Sequence, residues 1–432
     1  MLPFRRPWAK AGRRRVPIRP VALLRELGPG LVTGAADDDP SGIATYSQAG
    51  AQCGFTLLWT LVLTYPLMSA IQLVSAHIGR VTGRGLAGNM RQVLPLWTVD
   101  ILVALLFVAN TINVGADIAA MGEAGELVTG ISGHATTILF AVVSLLLQLF
   151  VPYHRYAHIL KWLTLALLSY VALLFVLHLD WGAVATGLVL PRVTSKDAVV
   201  TIVAVFGTTI SPYLFFWQSA QEVEEIAQHP DAHPLVTSPE EAPAEMRRMR
   251  FDTLAGMAVS NIVAIAIMIG TAATLHASGV TSITTAADAA RALSPIAGRF
   301  AFLLFSLGII GTGLLAVPVL AGSAAYAVGD LRGWPSSLER KPREAIGFYS
   351  IITAATVLGI VIDWSPIDPT RALFWSAVIN GVVAVPLMAA MMIVVSRQAI
   401  MGAFRAAPSL LATGWAATIV MAAAALAMVL VQ

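Results

Sequence analysis

Three consecutive aspartates, a proline and a glycine interrupt a stretch that is otherwise apolar and long enough to cross a bilayer. The interruption reads Asp37-Asp38-Asp39-Pro40-Ser41-Gly42, with apolar sequence from Leu31 before it and from Ile43 after it. A charged side chain at the bilayer centre costs about 2.5–3.5 kcal/mol on insertion scales. Three together are not tolerated facing lipid. They must line a cavity, pair with a partner, or bind a cation, and each outcome needs other helices around them.

Composition supports that setting. Hydrophobic residues make up 57% of the chain, charged residues 12%, and the mean hydropathy is +0.77. Soluble domains carry about 25% charged residues. A bilayer span takes about 20 apolar residues. Eleven spans are expected in the 432 residues, near 28–51, 55–78, 97–124, 132–152, 158–179, 199–225, 252–276, 297–327, 345–362, 372–396 and 408–431. The fold class is therefore an all-α integral membrane protein.

Lys and Arg are enriched in cytoplasmic loops. With the N-terminus inside, 22 of the 27 Lys and Arg residues fall in inside segments and five, from Arg192 to Arg371, outside. This predicts a multi-pass protein of the cell membrane, N-terminus cytoplasmic and C-terminus outside. Residues 1–25 form a basic cytoplasmic arm without the cleavage pattern of a signal peptide. The high pI reflects this topology and not a nucleic-acid partner. The single cysteine, Cys53, builds neither an intramolecular disulfide nor a cysteine metal cluster.

A second interruption matches the first. Thr208-Thr209-Ile210-Ser211-Pro212-Tyr213 falls within the sixth apolar run. Pro40 and Pro212 sit in spans one and six, so five spans separate the two copies. An odd number of spans inverts the second copy relative to the first. Paired interruptions at matching positions point to an inverted-repeat transporter with its site between two broken helices. The corresponding divisions are 26–182 for the first five-helix repeat, 199–397 for the second, and 406–432 for an extra helix.

Carboxylates together with unwound carbonyls make a hard oxygen site, suited to Mg²⁺, Mn²⁺ or Ca²⁺. The first break offers Asp39, Asp38, Asp37 and the Ala36 carbonyl. The second offers the Ser211 hydroxyl and the Thr208 carbonyl. Pro40, Gly42 and Pro212 are the expected helix breakers. Asn380, in the tenth span, is a further candidate ligand through its amide oxygen. Asn110, Asn113 and Asp117 share one face of span three, as a water or proton path or as a hydrogen-bonded seam between helices. Glu222, Glu224 and Glu225 read as a solvated cytoplasmic end of span six, with an inner vestibule as the sharper alternative. Met68 and the Phe215-Phe216-Trp217 run read as packing.

These motifs resemble the Nramp family of divalent metal transporters. The resemblance runs from GPGLVTGAADDDPSGIATYSQAGA, through SQAGAQCGFTLLW and HIGRVTGRGLA, to the tenth span. It implies a leucine-transporter-type fold, two inverted five-helix repeats with broken helices 1 and 6 plus one extra helix. It also implies a metal held by Asp39 and the carbonyls of Ala36 and Thr208. The family's Asp-Pro-Gly-Asn appears here as Asp39-Pro40-Ser41-Gly42, and its Met-Pro-His as Ser211-Pro212-Tyr213. An amide ligand and a soft thioether are thereby lost, which is similar to the magnesium-transporting branch of the family.

Tyr213 and Gln218 replace the family's two sixth-helix histidines, and Ala120 replaces a glutamate that follows the position of Asp117. Together, Asp117, Tyr213 and Gln218 mark the remaining candidate water or proton path. Neither Tyr nor Gln titrates near neutrality, so proton coupling is expected to be weak or absent. The expected function is import of divalent cations, Mg²⁺ first and Mn²⁺ next. A proton-coupled Mn²⁺/Fe²⁺ symporter and an ion-coupled organic solute transporter are the alternatives. No cofactor and no enzymatic activity are expected, and the expected partners are divalent ions and the lipid bilayer.

Overall fold

The computed structural model describes residues 29–152, 155, 166–193, 195–229, 232–364, 366 and 368–431. The basic arm 1–25 and the stretch 158–165 of the fifth expected span lie outside the described residues. Among the described residues all regular structure is helical. The principal helices are α1 (Pro29–Asp37), α2 (Pro40–Cys53), α3 (Leu58–Thr82), α4 (Leu96–Thr129), α5 (Gly133–Phe150) and α6 (Leu168–Val176). There follow α7 (Lys196–Thr209), α8 (Pro212–Gln228), α9 (Ala242–Thr274), α10 (Ala301–Arg332), α11 (Ile346–Asp363), α12 (Pro369–Ser396) and α13 (Pro408–Val431).

Eight helical stretches among the described residues are long and apolar enough to cross a membrane, and Ile346–Val361 is a shorter apolar one. Their large apolar residues include many that are exposed, such as Phe175, Val361, Ile419 and Leu430. Exposed apolar surface on this scale marks an interaction with lipid, and the chain is a multi-pass membrane protein.

The two breaks fall where the motifs place them but are tighter than expected. Helix α1 runs through Asp37, so only Asp38 and Asp39 are non-helical before Pro40 starts α2. Likewise only Ile210 and Ser211 separate α7 from α8. The prolines therefore do not kink a helix interior. Each sits in the first turn of a half-helix, where its missing N–H costs nothing. The residue before each is extended, with ψ 169° at Asp39 and 133° at Ser211, as steric contact with the proline ring requires. Gly42, expected as a breaker, lies inside the first turn of α2 and does not interrupt it.

Helix α9 also starts well before residue 252, where its span was expected to begin. Helix α9 begins at Ala242 with Pro243 in its first turn. The segment carrying Glu245, Arg247 and Arg248 is therefore helical, not loop.

Packing brings the broken helices to the centre. Helix α9 lies against both α1 and α2, α4 against α10 and α12, and α7 against α12. Gly207, in the last turn of α7, meets α12 backbone to backbone. A Cβ there would overlap Ala377 and Gly381. This contact holds the second break against α12, so a side chain at 207 must displace one of the two. Gly207→Val is expected to cost about 1–3 kcal/mol, the usual range for overpacking. The expected readout is a lower melting temperature of the detergent-purified protein, and an unchanged one would contradict this packing.

Candidate metal centre

Asp39 is the residue on which the first break closes. As N-cap of α2 it accepts the Gly42 N–H at Oδ1, 2.6 Å away. Its other oxygen, Oδ2, receives the Asn113 amide from α4 at 3.3 Å and faces the Tyr213 hydroxyl from α8 at 3.2 Å. The same hydroxyl lies 3.0 Å from the Ala36 carbonyl oxygen. Tyr213 thus spans from the second break to both oxygen donors of the first. The breaks also touch at Gly42. A Cβ there would lie 3.2 Å from the Asp37 carbonyl oxygen, 3.3 Å from Thr208 Oγ1 and 3.4 Å from Asp39 Oδ1. Glycine at 42 leaves this space clear.

The second break satisfies itself. The Ser211 hydroxyl lies 2.7 and 2.8 Å from the Gly207 and Thr208 carbonyl oxygens, and its one hydrogen is shared between them. The Thr208 carbonyl and the Ser211 hydroxyl, both candidate ligands, are therefore bonded to each other.

Asn113 is held in turn. Its Oδ1 accepts the Ser376 hydroxyl at 2.6 Å, and Ser376 lies 3.2 Å from the Ser41 hydroxyl. Helices α2, α4 and α12 are thus joined around Asp39 by one hydrogen-bonded network. Asn113 and the Ser41–Ser376 pair hold the aspartate's surroundings, and the spacing of Asn113 from Asp117 on span three is the signal that locates the first of them.

The other two aspartates turn elsewhere. Asp37 Oδ2 and Asp38 Oδ1 both face the Ser260 hydroxyl of α9, at 2.6 and 3.1 Å. One hydroxyl hydrogen serves one acceptor at a time. Ser260 was not apparent from the sequence, because nothing in α9 distinguishes it from a helix-packing serine. Asp117 is fully buried on the same α4 face as Asn113. Asn110 instead donates to the Leu320 carbonyl and Ser323 of α10, so it belongs to a seam between helices. Asn380 is buried one turn beyond Ser376, and its amide oxygen has no partner among the described residues.

Gln218 lies away from the break. It accepts the Thr33 hydroxyl at 2.6 Å and faces Glu222, which pairs with Arg248 at 2.8 Å. Arg248 also reaches Glu225 and Glu245, and Glu245 pairs with Arg80. Glu224 bonds the Tyr326 hydroxyl. The solvated-end reading is therefore corrected for Glu222, which is fully buried, and Glu224, nearly so, whereas Glu225 stays part-exposed. Burial forces each to find a partner, because an unpaired buried charge is costly.

The opposite ends of these helices enclose a pocket of about 450 Å³ lined by Gln48, Gln52, Asp197, Thr201, Thr370 and Arg371. Its floor reaches Ala44, one turn from Ser41. One end of the bundle thus carries a pocket that reaches Ala44, five residues along α2 from Asp39, while the other end is tied by ion pairs. Arg248→Ala leaves Glu222 buried without its cation. This is expected to cost about 3–5 kcal/mol in a detergent melt, with most of the loss recovered in Arg248→Ala/Glu222→Gln. Equal loss in both would contradict the pairing.

Comparison with known proteins supplies the family. The model of the Natural resistance-associated macrophage protein-like (Nramp) family matches residues 30–431. The divalent metal cation transporter MntH of Pectobacterium carotovorum subsp. carotovorum (strain PC1) is 27% identical over 361 residues, 82% of this chain and 81% of the relative. MntH of Yersinia pestis (strain Pestoides F) is 30% identical over 321 residues, 71% of this chain and 73% of the relative. Among solved structures, the Eremococcus coleocola manganese transporter superposes with a TM-score of 0.72 at 17% identity, covering 94% of this chain and 86% of that one. Mhp1, a nucleobase-cation-symport-1 family transporter, superposes with a TM-score of 0.57 at 14% identity, covering 94% and 92%. These likenesses establish the leucine-transporter-type fold, and the match across nearly the whole length places the chain in the Nramp family.

Proposed function

We propose that this protein imports divalent metal cations through a site between its two helix breaks. One observation carries the reading: Tyr213, from the second break, lies within hydrogen-bond distance of both the Asp39 carboxylate and the Ala36 carbonyl of the first. Carboxylate, carbonyl and hydroxyl oxygens thereby converge in a buried, polar spot at the middle of the bundle. Such hard donors suit divalent cations. Asp39 is the principal charged ligand, with the carbonyls of Ala36 and Thr208 beside it. Asp37 and Asp38, turned toward Ser260, add negative charge near the site more than direct bonds.

The relatives' names carry divalent metals and manganese and give a preference for Mg²⁺ no support. The donors in both breaks are all oxygen, since Ser211 and Gly42 stand where the family resemblance places Met and Asn. Without a soft thioether, discrimination between Mn²⁺ and Mg²⁺ falls to size and dehydration. Mn²⁺ is the proposed cargo, with Mg²⁺ a competitor at the same site.

With the N-terminus inside, the 450 Å³ pocket faces outward and the Arg248 network closes the cytoplasmic end. An ion enters through the pocket, reaches Asp39, and leaves when the half-helices and their bundle rock against the rest. A potential of 100 mV is worth about 2.3 kcal/mol per charge, so a divalent ion gains about twice that. This drives uptake without proton coupling, in keeping with Tyr213, Gln218 and Ala120 at the positions of the family's titratable groups.

In proteoliposomes, Asp39→Ala is expected to abolish Mn²⁺ uptake while the protein still purifies and melts cooperatively. Uptake at the unaltered rate would remove Asp39 from the site. Mg²⁺ at about tenfold excess is expected to suppress Mn²⁺ uptake at least severalfold. Complete indifference to Mg²⁺ would contradict the oxygen-only argument, and lumen acidification in step with metal entry would contradict uncoupled transport.

A further inference from the structure

We infer that Tyr213 is itself a cation ligand, through its phenol oxygen. The inference deepens the reading of the two breaks as an ion site and rests on it. One hydroxyl, with one hydrogen, faces two acceptors: the Ala36 carbonyl at 3.0 Å and Asp39 Oδ2 at 3.2 Å. Only one of them can receive that hydrogen at a time. Unlike Ser211, whose two acceptors lie in its own break, this hydroxyl stands between two candidate ligands of the opposite break.

The spacing matches a coordination shell. Adjacent oxygens of an octahedron stand √2 times the metal–oxygen distance apart. For Mg²⁺ bonds of about 2.0–2.1 Å this is roughly 2.9 Å, and for Ca²⁺ bonds of about 2.3–2.6 Å it is roughly 3.3–3.7 Å. The two observed separations, 3.0 and 3.2 Å, fall between these values. The phenol oxygen already lies from each of the other two at a separation that a shared cation would allow. Binding then needs the hydroxyl to turn its hydrogen away from the ion and present a lone pair. No proton leaves the protein.

The surroundings hold the hydroxyl there. Tyr213 is fully buried in the first turn of α8, between Pro212 and the Leu214–Trp217 run, which is buried as well. On the Asp39 side, the Gly42 N–H and the Asn113 amide hold the carboxylate from the α2 and α4 directions. Tyr213 also lies two residues after the break, so it brings a hard oxygen to the site although Ser211 spends its hydroxyl on Gly207 and Thr208. The phenol oxygen therefore makes up part of the donor set that Gly42 leaves short.

Calorimetric titration of Mn²⁺ into the detergent-purified full chain tests this. Tyr213→Phe keeps the buried ring and removes one oxygen. A ligand role predicts affinity weakened about tenfold and a reduced Mn²⁺-induced rise in melting temperature, measured from an ion-free melting temperature that itself falls because the Ala36 carbonyl loses its donor. A hydroxyl that only plugs the empty site predicts unchanged or tighter binding, and either result overturns the inference. Asp39→Asn is titrated in parallel. If it too binds normally, the ion-site reading itself fails; if it loses binding while Tyr213→Phe does not, only the ligand role of Tyr213 fails.

A measurement on the unaltered chain covers a variant that fails to fold. Electron–nuclear double resonance of bound Mn²⁺, with tyrosine ring-deuterated beside the hydroxyl, is expected to show strong deuteron coupling. Absence of that coupling overturns the inference.

Discussion

Breaking a helix at membrane depth frees carbonyl groups where no water can reach them, and the rest of this structure follows from how those carbonyls are satisfied. Irregular backbone is tolerated inside a membrane only where protein or a polar cavity meets it. At the second break Ser211 folds back on the carbonyls of Gly207 and Thr208. At the first, the Ala36 carbonyl depends on Tyr213, a residue 177 positions away. The first break is thus completed only when the second is packed against it. That dependence places the two half-helix pairs face to face and puts Asp39 at the junction.

The aspartates that open the argument divide their work. A run of three like charges would repel itself if all three pointed to one spot. Asp39 turns toward α4 and α8, while Asp37 and Asp38 turn toward Ser260 on α9. Local geometry sets this division. Asp39 is fixed as N-cap by the Gly42 N–H, and an N-cap side chain must fold over the first turn of its own helix. Its neighbours are left on the other side of the chain. The same economy appears at the cytoplasmic end, where Glu222, Glu225 and Glu245 share Arg248.

Much of the fold could be read from the chain. Apolar runs of about the twenty residues a bilayer requires coincide with eight long apolar helical stretches among the described residues, and the paired Asp-Asp-Pro and Ser-Pro interruptions marked the two breaks. What the prolines do was less legible. Pro66, Pro318 and Pro386 lie inside continuous helices, so proline alone does not break a span. The breaks occur where the preceding residue, Asp39 or Ser211, supplies polar atoms to the freed backbone. The partners of Asp39 were legible in part: Asn113 by its spacing from Asp117, Tyr213 by its place after Pro212. Ser260, Ser376 and Arg248 were not, because each gains its role from a helix distant in sequence. Burial of Glu222 likewise depended on Arg248 being helical and near, and no local feature of the glutamate run shows that.

On the proposed reading, the junction of the two breaks holds a single divalent cation with Asp39 as its charged ligand. An anomalous-scattering map from crystals soaked in Mn²⁺ tests it most directly. The account predicts one peak per chain, within bonding distance of Asp39 and the Ala36 carbonyl. A strong peak elsewhere in the bundle, or a junction left empty while Mn²⁺ saturates the protein in solution, would contradict it.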